Sequence, residues 1–163
     1  MDSKGQASAE YLLLILVILI VMGTVTIPLV GTSISSSTDV SKTSDAKTAL
    51  TTIASAVDIV YSNGPGAKRT VNVYIPSNGT LTANNLAKVI GMNIALSNGT
   101  TKFVNASTLY NVSVSNPNLT GKTWYNVTVT WNSANSFITV NPVPTELENK
   151  IFFFGVERVN RYL

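Results

Sequence analysis

From Tyr11 to Val30 the chain reads YLLLILVILIVMGTVTIPLV, 20 residues without one charged side chain. As a helix rising about 1.5 Å per residue, such a run covers roughly 30 Å, the thickness of a bilayer's hydrocarbon core. Helices buried inside soluble domains seldom carry so long an apolar stretch, so the run predicts a membrane helix. The next charge is Asp39, but at the other end a carboxylate, Glu10, stands on the threshold. A segment bound only for lipid has no use for that charge.

Three kinds of segment share this hydropathy. A cleaved secretory signal peptide has a net-positive start, an apolar stretch of about 7–15 residues and a small-residue cleavage site after it. Here Asp2, Lys4 and Glu10 nearly cancel the N-terminal amine, the apolar run is too long, and Gly31 and Ser33 make only a weak cleavage site. A plain signal anchor fits the length and leaves Glu10 unexplained.

The third kind accounts for Glu10. A short charged leader, MDSKG, ends at Gly5 and is followed by Gln6, Ala7, Ser8, Ala9, Glu10 and Tyr11, after which the apolar run starts at once. This Gln-x-x-x-Glu-Tyr pattern resembles the amino terminus of archaeal type IV pilin precursors with a class III signal peptide. The resemblance implies that a prepilin peptidase cuts between Gly5 and Gln6 and leaves the hydrophobic helix on the mature chain. It also implies a role for Glu10, with Tyr11, in assembly. A carboxylate desolvated among packed helices must be paired or neutralised, and the family picture pairs it with the new α-amine on Gln6 of a neighbouring subunit.

Beyond the run, Gly23 and Pro28 predict a kink or a loosened turn near Ile27, because proline lacks a backbone donor. Fraying is expected at Ser35, Ser36 and Ser37. Leu50, Ile53, Val57, Val60 and Tyr61 then recur at helical spacing and make one apolar stripe to pack on a head domain. Asn63-Gly64-Pro65-Gly66 ends the helix.

After Gly66 the apolar period becomes two. Val71, Val73 and Ile75, then Tyr110, Val112 and Val114, then Tyr125, Val127, Val129 and Trp131 alternate with polar residues. Each set predicts a half-buried strand. Asn116-Pro117-Asn118 with Gly121, and Asn132 to Ser136, read as turns between consecutive antiparallel strands. Ala83 to Ile90 is expected to form one short helix with Leu86 and Ile90 inward. Ile138-Thr139-Val140 and Ile151-Phe152-Phe153-Phe154 predict two more strands, with Pro142 and Pro144 between them. The fold class is therefore α+β: a long N-terminal hydrophobic helix followed by a mainly antiparallel β head, as a sheet or small sandwich. The expected division is a leader at 1–5, a helix at 6–63 (assembly part 11–30, amphipathic part 31–63) and a head at 67–163.

Six Asn-x-Ser/Thr sequons start at Asn78, Asn98, Asn105, Asn111, Asn118 and Asn126. They are a mild excess over chance, but none precedes Asn78, and the strand alternation turns Asn111 and Asn126 to solvent. All six are candidate glycosylation sites on an extracytoplasmic head.

Charged residues are only 12% of the chain, while 17 Ser, 20 Thr and 17 Asn supply the polar surface. A net charge of +3, without a basic run beyond Lys68-Arg69, argues against nucleic acid as a partner. With no His, no Cys and eight scattered carboxylates, the commonest general base and the usual metal ligands are missing. Neither an enzyme nor a cofactor is expected.

The expected function is a structural subunit of an archaeal type IV pilus-like surface filament, used for adhesion. Its expected partners are a prepilin peptidase, the membrane, and identical or related subunits in a homopolymer. The precursor would lie in the cytoplasmic membrane with its N-terminus inside, and the mature chain in an extracellular filament. An archaellin-like motility subunit and a membrane-anchored surface-binding module that never polymerises are the alternatives.

Overall fold

The computed structural model describes the backbone of residues 3–145 and the side chains of residues 9–145. The chain divides into two units, Met1–Asp39 and Val40–Leu163. The first helix, α1 (Ser3–Asn63), contributes to both.

From Tyr11 to Val30, within the first unit, α1 carries no charged side chain on any side. Its large side chains between Tyr11 and Ile34 are 45% to 74% exposed, so the unit buries none of them. Several hydroxyls in this part of the helix are satisfied locally: Thr24 Oγ1 donates to the carbonyls of Ile20 and Val21 (2.9 and 3.1 Å), and Ser33 Oγ and Ser35 Oγ donate to those of Leu29 and Gly31 (2.9 and 3.1 Å). Such back-bonding lets Ser and Thr sit in an apolar setting without an orphaned donor. The expected fraying at Ser35 to Ser37 does not occur. The helix is continuous there, and it runs through Pro28.

The second unit begins with the rest of α1. Ala46, Ala49, Leu50, Ile53, Ala54, Ala56, Val57 and Val60 form its buried face. Four of these are alanines, which let the helix approach the sheets closely. Each fully buried Leu, Ile or Val here contributes about 2 kcal/mol. Tyr61, expected on the same stripe, is half-exposed and stacks on Tyr110 and Trp131 with ring centroids 4.8 and 5.7 Å away. Gly64 stops the helix, accepting a positive φ of 88° that a side chain would resist.

Eight strands follow: β1 (Lys68–Ile75), β2 (Gly79–Asn84), β3 (Val89–Ala95), β4 (Thr101–Ser107), β5 (Val112–Val114), β6 (Asn118–Leu119), β7 (Thr123–Thr130) and β8 (Ile138–Pro144). They form two four-stranded sheets, ordered β1-β7-β8-β5 and β4-β3-β2-β6. The fold is α+β and mostly antiparallel. Alternation works as expected in β1 and β7: Val73, Ile75, Tyr125, Val127 and Val129 point into one core shared with Ile90, Met92 and Ile94 of β3 and the buried face of α1.

Four local expectations are corrected. Ala83 to Ile90 is a hairpin, not a helix. The Asn84 Oδ1 atom accepts the backbone N–H groups of Leu86 and Ala87 (both 3.1 Å) and caps a turn, after which Asn84 pairs with Val89. Leu86 is wholly exposed, whereas Ile90 is buried. Second, β5 and β7 are not paired neighbours. Between them the chain crosses to the other sheet as β6, where Leu119 is buried, and β5 pairs in parallel with β8.

The third correction concerns Pro142 and Pro144, which lie inside β8 rather than beyond it. The register shows how. Ile138 donates to the carbonyl of Asn111 (2.9 Å), and the Val140 carbonyl accepts from Ser115 (3.0 Å), so the even-numbered residues of β8 face β5. Pairing on that side ends at Val114 with Val140. The two prolines therefore lack an N–H only where no described strand of this sheet would receive it, the setting in which strands tolerate proline. Fourth, four strands that the period-two reading did not anticipate, β2, β3, β4 and β6, supply the whole second sheet. The expected strand at Ile151 to Phe154 lies outside the described residues. The turn from Asn132 to Ser136 does join antiparallel neighbours, β7 and β8.

Candidate processing and assembly site

The backbone of α1 is helical from Ser3, so Gly5 and Gln6 lie in its first turns. Glu10 follows Gln6 by four residues, one turn later on the same side of the helix and about 6 Å along its axis. Glu10 and Tyr11 are both exposed. Cutting after Gly5 would create an ammonium at the positive end of the helix macrodipole, where a cation is disfavoured. A carboxylate one turn away, or the same carboxylate from a second subunit, would offset that charge.

C-terminal to Glu10 the surface is uniform. No charge interrupts Tyr11 to Thr38, and no residue from Ala9 to Asp39 is buried. The helix is long and apolar enough to cross a membrane. Such a surface can lie in lipid or against other helices of the same kind. A Cβ at Gly23 or Gly31 would meet nothing within 4 Å, so both glycines leave room for a close neighbour.

The sequons lie in several environments. Asn98 occupies the β3–β4 turn, Asn105 lies in β4, Asn118 in β6 and Asn126 in β7, while Asn78 and Asn111 precede β2 and β5. Asn111 and Asn126 point off the core as the alternation requires, yet both are half-buried. Lys88 Nζ donates to Asn111 Oδ1 (2.7 Å), and Asn72 Nδ2 donates to Asn126 Oδ1 (3.1 Å). Sequence periodicity could place them on a face but could not show these partners. Among the described residues no three acidic, His or Cys side chains gather as a metal site.

A family model of the class III signal peptide matches residues 3–29. That segment is the hallmark of archaeal type IV pilin and archaellin precursors. It contains Gly5, Gln6, Glu10 and Tyr11 together with most of the apolar run. No curated protein and no solved structure matches the chain.

Proposed function

We propose that the chain is a structural subunit of a type IV pilus-like surface filament. In this reading a prepilin peptidase cuts it between Gly5 and Gln6, and it polymerises through α1. One coincidence carries the proposal: the class III signal peptide match falls on the part of α1, Tyr11 to Ile34, whose large apolar side chains are all exposed, with the Glu10 carboxylate just before it. Lipid would satisfy the apolar part of this segment, but only an incoming positive charge gives Glu10 a purpose. The head contributes a surface rich in hydroxyls and amides, suited to display and adhesion outside the cell. Neither the charge count nor the residue inventory favours catalysis.

The same signal segment opens archaellin precursors, so a motility filament is the second reading. N-terminal sequencing of the membrane-bound and filament-borne protein tests the shared part. A mature chain starting at Gln6 is expected, and a filament subunit that retains Met1 would defeat the reading. Deleting the gene then separates the two. Loss of surface attachment with swimming intact supports the pilus, and loss of swimming supports the archaellum-like filament.

A further inference from the structure

The six sequons differ in how far the fold has already used them. A glycosyltransferase acting on a folded protein must reach the Asn side chain, the residue after it and the hydroxyl two positions on. In four sequons that middle residue is a core side chain: Ala106, Val112, Leu119 and Val127 are all buried. At Asn78 the middle residue, Gly79, is closed in by β3, since a Cβ there would meet the Asn93 carbonyl at 2.8 Å. The Asn78 carboxamide is also engaged, with Oδ1 accepting the Gly121 N–H at 2.7 Å.

Asn98 differs in its accessibility, and its carboxamide is engaged only within its own sequon. Asn98, Gly99 and Thr100 are all exposed, at the tip of the β3–β4 hairpin closed by the Leu96 N–H to the Thr100 carbonyl (2.8 Å). Gly99 has a φ of 81°, and a Cβ there would meet nothing. Asn98 Oδ1 accepts from both the N–H and the hydroxyl of Thr100, at 3.0 and 2.7 Å. These two hydrogen bonds hold the sequon's amide and hydroxyl together and draw electron density from the carboxamide. The Nδ2 protons become more acidic.

We propose that Asn98 is the site at which the folded head is glycosylated. The donor is a glycosyl phosphate ester. A bond forms from Nδ2 to the anomeric carbon as that carbon's bond to the phosphate oxygen breaks. The phosphate leaves with the electron pair, and the Nδ2 proton passes to a base of the transferase. The inference rests on the proposed export of the head.

Lys88 and Lys102 bracket Asn98 without another sequon between them, so trypsin isolates it on one peptide. The experiment is tryptic mass mapping, with the N-terminal peptide read in the same digest. It is run on the full-length protein from its producing cells, as wild type, Asn98→Gln, Thr100→Ala and Asn126→Gln. A glycan mass on the 89–102 peptide is expected in the wild type and Asn126→Gln, and its complete loss in the other two. A chain starting at Gln6 with Asn98 bare, or with glycan on Asn105 or Asn126 instead, overturns the proposal alone. A chain still starting at Met1 with Asn98 bare overturns the export reading and the proposal with it. A Thr100→Ala chain still modified at Asn98 overturns the assignment of the sequon.

Discussion

Ile18 and Ile53 stand on the same helix and meet opposite surroundings: one is 49% exposed and the other 1%. Around Ile53 the apolar residues recur every three or four positions and alternate with Lys, Asp and Thr, because one side of the helix faces the sheets and the other faces water. Around Ile18 there is no such alternation, because nothing among the described residues defines a side. A helix stripe records a partner within the same molecule, whereas a helix apolar all round records a surrounding medium or a crowd of equivalent partners. The two regions should therefore fail differently.

The largest effect is expected at Glu10. In Glu10→Gln the subunit should insert in the membrane and be cut normally, giving the same mature size on a blot. Filaments should be absent by electron microscopy, since breaking one side of a buried charge pair typically costs 3–5 kcal/mol. Normal filaments from this variant would reduce Glu10 to a marker of the membrane edge.

Next in size is the paired test of the two isoleucines in detergent-solubilised full-length protein. Ile53→Ala should lower head stability by about 3 kcal/mol, the usual scale for emptying a buried aliphatic site, seen as a lower midpoint in near-ultraviolet circular dichroism. Ile18→Ala should leave that midpoint unchanged. Equal losses from both would show that the first stretch is also packed inside its own subunit.

What the sequence disclosed divides along the same line. The apolar run, the Gln6–Tyr11 motif and the Leu50–Val60 stripe were legible because each is a repeated or positional pattern. So were β1 and β7, whose alternation runs from Val71 to Ile75 and from Tyr125 to Thr130. The second sheet was hidden because its strands break the pattern: β3 carries Gly91 among buried neighbours, β6 has two residues, and β2 places Gly79 and Thr80 before Leu81. The Ala83–Ile90 stretch misled because Leu86 and Ile90 stand four apart, and only the Asn84 side chain, acting through backbone donors, makes it a turn. At the candidate site the residues of the signal-peptide motif could be named from sequence. The differing accessibility of the sequons could not, because it depends on what lies beneath each middle residue.

Two smaller losses are expected in the head. Gly91→Ala places a Cβ 2.4 Å from the Phe103 ring and 2.7 Å from the Val104 carbonyl. The ring can swing away but the backbone oxygen cannot. A loss of about 2 kcal/mol is expected, within the range for overpacking, and an unchanged melting curve would mean that the β3–β4 pair yields freely. Smallest should be Asp58→Ala, which removes the acceptor for the Leu109 N–H at 2.8 Å. A loss of about 1 kcal/mol is expected, the usual net value of one hydrogen bond. Hydrogen exchange should show it first as faster exchange at Leu109.

The two prolines of β8 bear on how such heads tolerate company. Past Val140 the outer margin of that strand carries carbonyl oxygens at positions 142 and 144 but no N–H to alternate with them. A foreign strand laid along it would find its acceptors unanswered, so the margin cannot serve as a template in either direction. Exposed strand edges are where crowded β proteins fuse. Heads held at high density would have this stretch insulated against zipping into one another. Specificity of contact would then be left to the helix, where charge and shape can be read.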